Sequence, residues 1–281
     1  MPPLKTGFNP RIVPRDRKHL IKQLRDIVAV ANRLEFQVVE LNLDSVMYEL
    51  GLRTFFDADL IEVLNDAPTR FHLNVFRDAS DRNWPTLTDP NSIDRSVALR
   101  QFVQIVEFFE QRHTIEMYVV HPGRQMSADS NHLDALTESL HTIHSLFPGL
   151  PIAVENTNSG AVLHAMDSVL AMLDSTASIR FALHTGRAFH SVDANHVAFE
   201  ARLDYLGQFA DRMAEIRWHN TAPGQSTSIP LHIGLERGID LHRVMRSIGR
   251  NPGTVHMIDT VGLNPAGLIR EVRVLQSAMN G

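Results

Sequence analysis

Short apolar runs rich in β-branched and aromatic residues alternate along the whole chain with longer stretches of helical spacing. Eight such runs stand out: "LKTGFN" (4–9), "FQVVELNL" (36–43), "RFHLNVF" (70–76), "IEMYVVH" (115–121), "PIAVEN" (151–156), "IRFALH" (179–184), "EIRWHN" (215–220) and "TVHMID" (254–259). They recur about every 25 to 45 residues, which leaves room for the helical crossover that parallel strands require.

The segments between them carry the matching period. In "RKHLIKQLRDIVAVANRL" the residues Leu20, Ile21, Leu24, Ile27, Val28 and Ala31 fall on one helical face. "SIDRSVALRQFVQIVEFFEQR" reads as a helix with Ser92 as its N-cap, and "NPAGLIREVRVLQSAM" opens on an Asn-Pro start signal. Eight strand–helix units predict an α/β fold, a (β/α)8 TIM barrel formed as a single domain over residues 1–281. A doubly wound open sheet fits less well, because it has fewer strands and a Gly-rich first turn that this chain lacks. The polar, Pro-containing stretch "RDASDRNWPTLTDPNS" (77–92) follows the third strand, on the side where barrel enzymes carry their active-site loops. "SIRFALHTGRAFHS" (178–191) reads as a buried strand running into a Gly-containing turn with His184, Arg187 and His190.

Composition narrows the chemistry. With 43% hydrophobic residues in 281, the chain can bury a large core. It contains no cysteine, so disulfides, thiolate nucleophiles and Cys-ligated metal sites are excluded, and any metal falls to His, Asp, Glu, Asn or Gln. A net charge of −5 offers no electrostatic footprint for nucleic acid. No run approaches the roughly 20 apolar residues of a membrane span, and the first 20 residues lack the apolar core of a signal peptide. The expectation is a cytoplasmic protein with a small-molecule partner.

In a barrel, the catalytic groups stand at the C-terminal ends of the strands. Here those ends are polar: Asn9, Glu40 and Asn42, His72 and Asn74, His121, Glu155 and Asn156, His184, Arg217 and His219, and Asp259. Strand alternation places Glu40 with Asn42, and Arg217 with His219, on common faces. Any one of these is most simply a satisfied core polar group, but eight ends of this kind point to one functional mouth. Histidines and carboxylates gathered there can coordinate a divalent metal or move protons as acid and base.

At these residues the chain resembles the xylose isomerase-like TIM barrel superfamily, which holds sugar phosphate isomerases and epimerases, dehydratases and endonuclease IV-type nucleases. The resemblance rests on "RFHLNV", "VVHPG", "IAVENT", "FALHTGRAFH" (where relatives carry Asp-Thr-Gly-His-Ala) and "HIGLERGID". It implies one divalent metal (Mn, Fe, Zn, Mg or Co) and two carboxylates as the acid/base pair, with no organic cofactor. The four inherited ligand positions fall on Glu155, His184, Arg217 and Asp259. Arg217 is permanently protonated and cannot ligate, so His219, two residues on, is the substitute. The metal set expected from the resemblance is therefore Glu155, His184, His219 and Asp259, with Glu155 and Asp259 catalytic. Arg187 and Arg217 are then expected to bind an anionic group of the substrate, with His72, His121 and His232 lining the rim. In a second reading the metal is lost and the two arginines supply its charge.

The resemblance implies an isomerase or epimerase working by proton abstraction next to a carbonyl. A dehydratase or lyase, a divergent phosphodiesterase or abasic-site nuclease, and a non-catalytic binding barrel are the alternatives. The nuclease relatives need further histidines where this chain has Arg187 and Arg217, and an Asp two residues before His232 that is absent.

Overall fold

A computed structural model describes residues 5–10, 12, 15–42, 58–66, 69–74, 86–122, 130–157, 163, 165–249, 251–259 and 265–280. Eight parallel strands, β1 (Lys5–Asn9), β2 (Val38–Asn42), β3 (Thr69–Asn74), β4 (Ile115–His121), β5 (Ile152–Glu155), β6 (Arg180–His184), β7 (Met213–Trp218) and β8 (Val255–Asp259), pair in sequence order. β8 closes on β1 through Lys5↔Val255 to Asn9↔Asp259, which makes a (β/α)8 barrel. Each apolar run read from the sequence overlaps one of these strands.

The helices are α1 (Arg17–Arg33), α2 (Ala58–Leu64), α3 (Ser92–Glu110), α4 (Ser130–Leu146), α5 (Met166–Ser175), α6 (Thr185–His190), α7 (His196–Leu206), α8 (Leu241–Val244, continued by a π turn) and α9 (Pro265–Asn280). On α1, Leu20, Leu24, Val28 and Ala31 are buried at helical spacing, while Ile21 and Ile27 pack at the edge of the same core. Burying each larger aliphatic side chain stabilises by about 1.5–3 kcal/mol. Asp16 caps α1 by accepting the His19 N–H at 2.8 Å.

Two local expectations are corrected. α3 is capped by Asn91, not Ser92: the Asn91 side chain accepts the Ile93 N–H at 3.0 Å, and Ser92 is the first helical residue. The segment after β6 is the short helix α6, not a turn. It begins because the His184 ring accepts the Arg187 N–H and so acts as the N-cap. Its glycine serves close packing, since a Cβ on Gly186 would lie 1.9 Å from the Thr227 carbonyl oxygen. The expected long loop at 77–92 lies outside the described residues up to position 85.

The main core fills the space between strands and helices. The barrel interior is different. Two small apolar groups line it, Met117, Val119, Ala153, Ala182 and Ala214 on one side and Val38, Val255 and Met257 on the other. Side chains of Arg70, Glu40, Glu215 and Arg217 are buried there as well, where branched aliphatics ordinarily pack. Two bulges aim some of these inward: β4 carries Glu116 as an extra residue against β3, and β7 carries Ala214 as an extra residue against β6.

Candidate active site at the barrel mouth

Successive strand ends are pinned by side chains rather than by ladder bonds alone. The Asn156 amide bridges to β6, accepting the His184 N–H at 2.7 Å and donating to the His184 carbonyl at 3.2 Å. Thr185 does the same one strand on: the His219 N–H donates to its hydroxyl at 2.9 Å, and that hydroxyl donates to the His219 carbonyl at 2.8 Å. These two clasps fix the backbones of His184 and His219, and their rings stack 4.1 Å apart with only 6° between planes.

Arg217 is the hub. Its Nη2 pairs with Glu40 and, at 3.3 Å, with Glu215 Oε1, while its Nε lies 3.2 Å from Glu155 Oε1. Arg187 takes the other side of Glu155, with Nη1 2.9 Å from Oε2 and 3.1 Å from the Asn156 carbonyl. The Glu155 side chain is 1% exposed and that of Arg217 6%, so this ion cluster is dry. Asn9 also serves Glu40, donating to Oε1 at 2.6 Å. Burial opposes the charge on Arg217, yet Glu40, Glu155, Glu215 and Asp259 hold its pKa well above the usual guanidinium value.

The two histidines are neutral. Burial first, then the His219 ring and the nearby guanidiniums, push the His184 pKa well below its ordinary value. The same desolvation lowers His219 to about 4, with Asp259 opposing the shift and Arg217 and Arg187 adding to it. His184 Nδ1 accepts the Arg187 N–H at 3.3 Å, which leaves its proton on Nε2. His219 Nε2 points towards Asp259 Oδ2 at 3.6 Å.

One pH dependence follows. Unfolded histidine protonates near pH 6.5, whereas folded His219 resists until about 4. The unfolded state therefore binds the extra proton first, and His219's contribution to stability is complete above about pH 6.5 and is lost as the pH falls towards 4. Urea unfolding of His219→Asn should show a shallower loss of stability than the wild type across that window; parallel curves would refute the assignment.

Of the residues singled out in the sequence, Glu155, His184, Arg187, Arg217, His219 and Asp259 come together. His121 is buried at the end of β4. His72 lies on β3 in register with Asn42 and Val119, and its side chain is outside the described set. His232 is tied to α9: its ring pairs with Glu271, and the Leu231 and His232 N–H groups donate to the same carboxylate at 2.7 and 2.9 Å. Sequence reasoning left out Glu215 and the clasp residue Thr185. The alternation of Glu215, Arg217 and His219 in "EIRWHN" was the available signal for the first.

The donor set does not fit a metal ion. Both Glu155 oxygens face guanidinium nitrogens, His184 Nδ1 is taken by a backbone N–H, and guanidiniums beside a divalent cation would repel it. Among the described residues no group of three or more His, Asp or Glu is arranged to hold one. Nor is any helix among them long and apolar enough to cross a membrane.

No family model and no curated protein matches this sequence. Solved structures do match in architecture. The chain is similar to a D-tagatose 3-epimerase-like protein at 16% identity, covering 99% of this chain and 97% of that one with a TM-score of 0.66. It is similar to endonuclease IV from Thermus thermophilus at 17% identity, with 98% and 99% covered and a TM-score of 0.60. A xylose isomerase domain protein from Alicyclobacillus acidocaldarius subsp. acidocaldarius gives 11% identity, 99% and 100% coverage and a TM-score of 0.66. This chain thus shares its (β/α)8 barrel fold with an epimerase-like protein, an endonuclease IV and a xylose isomerase domain protein.

Proposed function

We propose that the mouth is the active site of an isomerase- or epimerase-type enzyme that removes a proton next to the carbonyl of a small polyhydroxylated or carboxylated substrate. The observation that carries this reading is the convergence of a neutral imidazole pair, a solvent-reaching carboxylate and two guanidiniums at the C-terminal strand ends. The fold likeness to a structure named as epimerase-like supports the reaction class.

The chemistry divides among these groups by their surroundings. Asp259 is the mouth carboxylate with the greater access, its side chain 20% exposed, and it has the neutral His219 ring against it. That pair takes the α-proton. The C–H electron pair moves into the carbonyl, whose developing oxyanion is stabilised by guanidinium N–H donors already fixed in a dry site. Returning the proton to the same carbon from the other face gives an epimer; returning it to the former carbonyl carbon, while the proton of the neighbouring hydroxyl passes to the former carbonyl oxygen, gives an isomer. Glu155 is the second carboxylate of the site. Guanidiniums occupy both of its oxygens, so its main task is to hold Arg187 and Arg217 where the oxyanion forms. His184, with its proton on Nε2, is a neutral donor beside them. In this reading the Arg217 charge serves where a divalent cation would otherwise stand.

Incubation with a panel of ketoses, aldoses and sugar acids in D2O should wash deuterium into the carbon next to the carbonyl, read by mass spectrometry or proton NMR. Chelator-treated protein should do so at an unchanged rate. No wash-in from any member of the panel would overturn the reaction class; wash-in abolished by chelator and restored by one metal would overturn the arginine reading alone.

A further inference from the structure

The mouth cluster does not end at the mouth. Glu215 accepts from Arg217 on one side and from Arg70 Nη1, at 3.2 Å, on the other. Arg70 also donates to the carbonyl of the bulge residue Ala214 at 3.2 Å, and its Nη2 lies 3.2 Å from Glu116 Oε1. Glu116 in turn pairs with Lys5 at the start of β1. Burial raises the pKa of Glu116, but Arg70 and Lys5 outweigh it and hold the carboxyl below its ordinary value.

The result is a continuous ladder through the barrel interior, from Lys5 and Glu116 at the N-terminal floor, through Arg70, Glu215 and Arg217, to Glu40, Glu155 and Arg187 at the mouth. Cations and carboxylates alternate and balance. Both ends touch solvent, the Lys5 side chain being 36% and that of Arg187 17% exposed, whereas Arg70 and Glu215 between them are sealed.

Ion pairs buried this way add little stability over well-packed apolar side chains, because each charge must be stripped of water. A purely structural interior would be expected to use aliphatic layers. We propose that Glu215 and Arg70 are positioning residues, which hold the Arg217 guanidinium at the centre of the mouth and make its placement depend on the barrel floor. This rests on the reading of the mouth as an active site only for its effect on turnover; the effect on Arg217 stands apart from it.

Two variants separate positioning from simple stability. Glu215→Gln removes the carboxylate that Arg70 and Arg217 share and leaves sealed Arg70 with Glu116 as its carboxylate partner, so it should fold less stably. The double variant Arg70→Met/Glu215→Gln removes both charges and should recover thermal stability. In substrate-free protein, exchange of the Arg217 Nε–H followed by NMR on arginine-labelled samples should be faster than in the wild type by about tenfold or more in the double variant. In the D2O assay the same variant should lose about tenfold or more in kcat with KM little changed. Wild-type Arg217 exchange in a double variant of recovered stability would overturn the proposal. Faster Arg217 exchange with no wash-in even by the wild type would uphold the positioning role and fail the proposed reaction instead.

Discussion

Glu155→Gln is expected to lower the rate of deuterium wash-in by about 10²–10³-fold, the usual consequence of disturbing preorganised charge around an oxyanion. Glutamine has the shape of glutamate but no charge, and it presents an NH2 group where one carboxylate oxygen stood. Arg187 Nη1 and Arg217 Nε, 2.9 and 3.2 Å from the two oxygens, would lose their common counter-ion and repel each other. Removing one partner of a buried ion pair costs about 3–5 kcal/mol when nothing replaces it. Here the loss should fall at or below the lower end, because Arg217 keeps Glu40 and Glu215, and Arg187 keeps the Asn156 carbonyl. The variant should therefore remain folded, with urea unfolding shifted modestly and turnover nearly gone. Turnover close to wild type would remove Glu155 from the site.

Arg217→Met should have the largest effect on stability of any single substitution at the mouth. It deprives Glu40, Glu155 and Glu215 of the cation they share, and the Glu40 and Glu215 side chains are fully buried. Glu155 and Glu215 retain another guanidinium, from Arg187 and Arg70 respectively. The expected destabilisation is about 3–5 kcal/mol or more, measured by chemical unfolding. Arg217→Lys should be intermediate: it keeps the charge, but a compact ammonium cannot reproduce three separate directions of a planar fork. If methionine at this position were tolerated at wild-type stability, Arg217 would not be the hub that its contacts describe.

The architecture was readable at the level of local pattern. Each strand run and the main helical stripes were recovered because they follow from periodicity within a few residues, as in Leu20, Leu24, Val28 and Ala31 on α1. The exceptions were decided by chemistry that propensity does not encode. Asn91 rather than Ser92 caps α3, its side chain accepting the Ile93 N–H, and "TGRAFH" is a helix with a histidine ring as its cap.

The residues of the mouth were also readable as a set, since polar strand ends in a barrel converge whatever their partners are. Their pairing was not. Arg70 meets Glu215 across 145 residues of chain, and Arg217 meets Glu40 across 177. Such contacts depend on the register of closure and on one-residue bulges at Glu116 and Ala214, which no local pattern reveals. His232 shows the same limit, since its ring pairs with Glu271 on helix α9, 39 residues along the chain.

Residue order alone thus specified eight strands, their helices and a polar mouth, because hydrophobic period and strand alternation act over neighbouring positions. Whether Glu155 faces a metal or two arginines, and whether His184 and His219 are charged or neutral, was decided only by tertiary structure. Those properties come from burial and from charges brought within a few ångströms by the closed barrel, and a linear sequence carries neither.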